Sequence, residues 1–492
     1  MTKSIRIGGA SGYWGDSHEA PKQLIEKGDV DYLVFDFLAE VTMSILAKAR
    51  ARSEAAGYAT DFVTMLTPLL PETARRGVKV VANAGGVNLE ACRMALQKAC
   101  EDQGVSLSIG AVDGDNLLAR ADEIRGLGVR EISTSDPLPD AVMSINAYLG
   151  GFPIAAALGA GADIVITGRC VDSAVVLGPL IHEFGWTPGD YDKLAQGSLV
   201  GHLLECGTQA TGGNFTDWRD VAQDWHDMGY PIAIVSADGR FDVVKPERTG
   251  GLVSPLTVGE QMLYEIGDPA SYLLPDVACD FRAVTILQTG DNKVSVAGAR
   301  GRAPGRHYKV SGTYQDGYKS SGTMVIAGLE VVAKADAMKT ALLKRLTALF
   351  TERGWDDFDQ VEYQIVGAES LYGDSARENA LEIREVVLRL ALRHRQKEAL
   401  TLFTKEFIGT ALGMVTGRCG IESGIPKVSP LFRLYSFMLS KDQVPVSVTV
   451  DGKAIDLPSL PGSNAELEPP PANGISVEEI PVLQGELVRV PL

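Results

Sequence analysis

Residues 146–186 read NAYLGGFPIAAALGAGADIVITGRCVDSAVVLGPLIHEFGW, and this stretch decides the fold. Its centre, Ala162 to Ile166, is a short apolar run rich in β-branched residues, as expected for a buried parallel strand. An Ala/Gly-rich helical pattern, Pro153 to Gly161, precedes it. Thr167-Gly168-Arg169-Cys170 ends the strand, and a second helical pattern runs from about Val171 to Gly185. A strand, a polar turn and a helix form the unit in which α/β proteins carry ligand-binding groups. The strand's carboxyl end opens on a crevice, and the next helix presents free N–H groups. Arg169 and Asp172 fall in that turn. They either hold an anion or pair with each other to fix the loop.

The same unit recurs upstream. Ser4–Ile7 is followed by a glycine-rich turn holding Asp16, which lacks the GxGxxG spacing of dinucleotide sites and leaves Asp16 as a helix cap or a ligand contact. Val30–Phe35 ends in Asp36 and Glu40, two acids that must meet cations or act on something if buried. Val78–Ala82 leads to Asn83 and Asn88 in a turn that suits either an anion or a plain chain reversal. Ser106–Val112 ends near Asp115, a candidate for a cation, a ribose hydroxyl or a helix cap. A fifth, weaker strand is expected over Arg130–Ser133, ending at Asp136. Six strand–turn–helix units imply an α/β fold with a mainly parallel sheet and flanking helices. A doubly wound sheet is favoured, with a (β/α) barrel as the alternative.

Beyond these units, His202, Glu205, Cys206 and Gln209 share one helix face. Two metal-type ligands there are too few for a metal centre, so a substrate-facing polar face or a buried hydrogen-bond cluster remains. After about Trp225 the pattern becomes mixed α+β, beginning with an Asp-Gly hairpin near Asp238. Arg300, Arg302 and Arg306, with His307 and Lys309, make the main basic concentration, suited to phosphates such as those of coenzyme A or to a solvated loop. The expected domains are 1–225, a parallel α/β domain; 226–456, a mixed α+β domain; and 457–492, a Pro/Glu-rich tail.

Composition narrows the function classes. The chain has 492 residues, 45% hydrophobic and 22% charged, with net charge −17. That charge argues against nucleic acid or anionic membrane as the main partner. Six scattered cysteines without CxxC spacing fit reduced cytoplasmic thiols, and no apolar span of membrane length occurs.

The segments GGASGYWGDS, VDYLVFDFLAEVTM, VANAGGVN, the 146–186 block, GHLLECGTQATGGNF and GGLVSPLTVGEQMLYEIGDPASYLLPDV together resemble the acyclic terpene utilisation (AtuA) family. The resemblance implies bacterial catabolism of branched acids as coenzyme A esters. It also implies that the small ferredoxin-like domain carried by longer relatives is either absent here or supplied by a separate partner protein. The leading expectation is a cytoplasmic lyase, either a hydratase/dehydratase or a carbon–carbon lyase, acting on a carboxylate or acyl-CoA. Asp36, Glu40, His202 and Glu205 are its candidate acid–base groups. Asp16, Asn83, Asn88, Asp115, Asp136, Arg169, Asp172 and Gln209 are its candidate substrate contacts. The competing expectation is a non-catalytic ligand-binding or scaffold subunit. Neither the cofactor, beyond a coenzyme A thioester as substrate, nor the oligomeric state, a homo-oligomer included, is fixed by sequence.

Overall fold

The computed structural model describes residues 3–377, 382–420, 424–458 and 461–462, without the side chain of Glu40. The expected tail therefore lies almost wholly outside the described residues. Two compact units emerge, one running to Thr313 and resuming at Leu434, the other spanning Tyr314 to Arg433.

In the first unit, β1 (Ser4–Gly9), β2 (Tyr32–Phe35), β3 (Lys79–Ala82), β4 (Ile109–Asp113) and β6 (Ile164–Thr167) form a parallel block in the order β1-β2-β3-β6-β4. Each is a short β-branched or aromatic run buried on both faces, as a central parallel strand must be. Leu33, Phe35, Val80, Ala82, Ile164 and Ile166 point to one face. There they pack with α1 (Ala20–Lys27), α2 (Glu40–Arg50), α3 (Thr60–Leu66), α4 (Leu70–Arg76) and α5 (Leu89–Gln103). The alternate residues meet α7 (Phe152–Gly159) and α8 (Ala174–Phe184): Tyr32 donates to Glu183 of α8 at 2.6 Å. The short α6 (Ala121–Gly126) follows β4.

The sheet is less parallel than the sequence suggests. It has eleven strands, and antiparallel strands extend both sides of the parallel block. β7 (Ile232–Ser236) pairs antiparallel with β1, and β8 (Phe241–Val244) with β7, through the expected Asp-Gly turn, where Gly239 takes φ 89°. A two-strand reversal of this kind can only add antiparallel neighbours. On the opposite side Ser447–Val450 pairs antiparallel with β4. Residues 232–297 and 447–455, assigned to a second domain from the sequence, thus contribute strands to the same sheet.

The expected fifth strand is also corrected. Arg130–Ser133 makes only an isolated bridge from Arg130 to Pro137, and residues 131–136 present no buried face. A polar run without an apolar side gains nothing from a sheet. The strand in that interval is β5 (Ser144–Ala147), which pairs antiparallel with Val310–Thr313.

The second unit runs strand, helix, strand, strand, helix, strand. Gln360–Val366 and Glu385–His394 lie beside the long strand His307–Ala327, followed by Arg418–Gly420. This is the split β-α-β order of ferredoxin-like sheets. Helices Val331–Arg353 and Lys397–Gly413 bury Leu342, Leu346, Phe403 and Phe407 against its face.

Candidate functional site

The parallel block sets four polar side chains in a row at its carboxyl edge. Asp36 follows β2, Asn83 follows β3, Arg169 follows β6 and Asp115 follows β4; all four are buried. Asn83 Nδ2 donates to Asp36 Oδ1 at 2.5 Å, while its Oδ1 accepts from the Phe37 N–H at 2.7 Å. The second bond fixes the amide's orientation, so its NH₂ faces the acid.

Asp115 binds the next two strand ends together. Its Oδ2 accepts from Asn146 Nδ2 at 2.7 Å and from the Arg169 N–H at 2.8 Å. A Cβ on Gly168 would lie 2.1 Å from Asp115 Oδ1, so only glycine lets the turn close on this carboxyl. Burial pushes Asp115 up to about 7.

Arg169 is 3% exposed. Its Nη1 meets Asp172 Oδ1 at 2.5 Å and the Cys170 carbonyl at 2.6 Å, and its guanidinium carbon lies 4.2 Å from the Tyr148 ring centre. Its Nε is buried and has no hydrogen-bond partner among the described residues. Burial opposes its charge, but Asp172 holds its pKa well above the usual arginine value.

The fourth wall comes from α9 (Tyr191–Leu204) and the turn after it. His202 Nδ1 lies 2.8 Å from Glu205 Oε1, and its Nε2 lies 3.2 Å from the Met262 carbonyl in α10 (Pro255–Leu263). The carbonyl requires Nε2 to carry a hydrogen, so the Nδ1–Glu205 contact holds one further proton. Burial opposes the imidazolium, yet Glu205 leaves the His202 pKa raised. Gly12 packs against this turn: a Cβ there would sit 2.9 Å from the Glu205 carbonyl oxygen.

These groups share one electrostatic environment. Burial, then Asp172, lifts Asp36 well above the carboxylate range, with Arg169 opposing and Glu205 adding to the rise. Burial likewise raises Glu205, against the pull of His202, and Asp172 raises it further. Three carboxyls around one guanidinium and one imidazole cannot all ionise in a dry site. Asp36, raised the more strongly, is the proton holder, and Glu205 shares a single proton with His202. Cys206, by burial and the nearby Glu205, is pushed up to about 12 and stays a thiol.

The remaining candidates lie elsewhere. Asp16 accepts from Gly12 N–H at 2.9 Å and from Tyr230 Oη at 2.7 Å, which closes the glycine turn. Asn88 donates to the Glu54 and Ala56 carbonyls and holds that loop. Asp136 is exposed and accepts from Thr134 Oγ1. Gln209 donates to Gln261, which in turn donates to the His202 carbonyl, a supporting chain under α9. Arg300 pairs with Asp192, Arg302 reaches Ser271 and the Ala270 carbonyl, and the Arg306 side chain is exposed. Arg300 and Arg302 are thus each engaged by separate protein groups. Glu40 opens α2, and its side chain lies outside the described residues.

Sequence reasoning missed Tyr148. Its ring lies between Arg169 and Lys309, whose Nζ is 4.7 Å from the ring centre. It also lines a cleft of about 340 Å³ together with Val171, Leu273, Leu274, Met438 and Lys309. Tyr148 thus links this mostly apolar cleft to the buried Arg169 guanidinium. Among the described residues no group of three or more His, Cys, Asp or Glu could hold a metal ion, and no helix is long and apolar enough to cross a membrane.

Comparison with known proteins gives one sequence assignment. No curated relative matches the chain. A solved homoserine dehydrogenase from S. aureus aligns over 84% of each chain at 8% identity, with a TM-score of 0.11. The profile described as acyclic terpene utilisation family protein AtuA matches residues 5–450, and the chain therefore belongs to the acyclic terpene utilisation family.

Proposed function

We propose that the first unit is a cytoplasmic lyase acting by acid–base chemistry on a carboxylate or acyl-CoA, in a hydration/dehydration or carbon–carbon cleavage step. One observation carries the reading: Arg169 is buried with its Nε unpartnered among the described residues, in the same electrostatic environment as Asp36 and Glu205, whose pKa values burial raises. Leaving a buried donor unmet costs about 1–3 kcal/mol, which a carboxylate or thioester oxygen would recover.

In a dehydration the substrate oxygen lies on Arg169, which stabilises negative charge developing there. The Glu205 carboxylate, paired with the His202 imidazolium, takes the proton from carbon. Protonated Asp36 gives its proton to the leaving hydroxyl, which departs as water while the carbon–carbon double bond forms. Asp172 fixes the guanidinium and Asn83 aims Asp36. The cleft beside Tyr148 receives the substrate's apolar part, and the row of strand ends favours the doubly wound sheet, whose ligands bind at that edge.

The test is incubation with branched enoyl- and hydroxyacyl-CoAs, followed by mass spectrometry of the products. Turnover should survive at reduced kcat/KM in Arg169→Lys and fall by about 10²–10⁴ in Asp36→Asn, the range for loss of one acid–base group. Turnover unchanged in Asp36→Asn, or absent in the parent protein with every substrate, overturns the reading.

A further inference from the structure

The segment from Asp217 to Asp227 contains a repeat that the acid–base site does not use. Asp217-Trp218-Arg219-Asp220 and Asp224-Trp225-His226-Asp227 place the same pattern seven residues apart. Both tryptophans are exposed, at 45% and 54%, and their rings lie 6.0 Å apart at 31°. The Arg219 guanidinium covers one face of Trp218 at 4.4 Å.

The display is rigid. Trp218–Asp220 and Ala222–Asp227 are 3-10 turns joined at Val221, which is 1% exposed and anchors them from below. Gly250 N–H donates to the Asp227 carbonyl at 2.6 Å and fixes the far end. Both rings remain about half exposed, and tryptophan is among the strongest contributors to protein interfaces.

We propose that this surface docks a basic segment of another protein. The charge pattern selects that partner. Exposed Asp217, Asp220 and Asp227 frame the ring pair, and ring faces attract cations, as Arg219 already shows on Trp218. A second copy of this chain would bring the same aspartates and a net charge of −17 against them, so self-association is disfavoured.

The experiment titrates a synthetic peptide of alternating arginine and alanine into the full chain by calorimetry, with a glutamate–alanine peptide as control. The arginine peptide should bind, with affinity falling as salt rises. Trp218→Ala/Trp225→Ala and, separately, Asp217→Asn/Asp220→Asn/Asp227→Asn should each weaken it by about tenfold or more. Unchanged melting temperatures would show that both variants fold. Equal affinity for the parent and the tryptophan variant, absence of binding to the parent, or tryptophan-dependent self-association in sedimentation would each overturn the proposal.

Discussion

The side-chain amide of Asn83 joins two neighbouring strand ends, donating from its NH₂ to Asp36 Oδ1 at 2.5 Å and accepting at its oxygen from the Phe37 N–H at 2.7 Å. No other side chain donates a hydrogen bond to the Asp36 carboxyl among those described, so this one contact sets the direction in which the acid points.

Asn83→Leu keeps the volume and removes both bonds. The stranded Phe37 N–H and Asp36 carboxyl should cost about 1–3 kcal/mol each, visible as a lower urea midpoint. Asn83 also pulls the Asp36 pKa down, so its loss moves that pKa further up. For an acid that must be protonated to work, the alkaline limb of the kcat profile should shift to higher pH. An unmoved limb would separate Asp36 from the proton-transfer step.

Asp115 predicts a stability change with a definite sign. Its folded-state value is about 7, against about 3.9 when unfolded. Between these values the folded protein holds the proton and the unfolded chain does not. The contribution is therefore full below about pH 4 and is lost as pH rises through about 7, up to about 4 kcal/mol across the window. Asp115→Asn can still accept from Asn146 and Arg169 but cannot ionise. Its stability relative to the parent should therefore improve steadily from pH 4 to pH 8 in denaturant titrations. A constant difference would show that Asp115 ionises freely in the folded protein.

Much of this framework is legible in the sequence because local signals coincide there. YLVF, KVVA and IVIT are buried parallel strands, and the polar residue after each lies at the sheet's carboxyl edge. The i, i+3 spacing of His202 and Glu205 likewise brings them to 2.8 Å. What fails is partner choice at long range. Periodicity does not tell that Ser447–Val450 closes onto β4, or that β5 leaves the main sheet for Val310–Thr313. Tyr148 escaped notice for a similar reason. Its importance comes from Lys309, far away in the chain, and no local pattern announces that meeting.

Glu205→Gln isolates the ring it supports. Burial alone would depress the His202 pKa, and the charge and hydrogen bond of Glu205 raise it. The glutamine variant should therefore show the His202 imidazole resonances titrating at lower pH than in the parent, or neutral throughout the accessible range. Asp36, which feels the Glu205 charge as a repulsion, should shift down in the same variant. A His202 titration that stays in place would mean that the ring's proton is held by the Met262 carbonyl side alone.

Tyr148 separates binding from chemistry. Its ring stacks under Arg169 at 4.2 Å and borders the cleft, but the acids at the strand ends do not depend on it. Tyr148→Phe keeps the ring face and should leave the Arg169 geometry intact. Tyr148→Leu removes the face from both cations, at about 0.5–2 kcal/mol for each cation–ring contact. With the proposed acyl substrates the leucine variant should raise KM several-fold and change kcat little, since the lost contact is made equally before and during reaction. A fall in kcat at constant KM would instead make Tyr148 part of the reacting centre. Identical kinetics in both variants would move substrate binding away from this cleft.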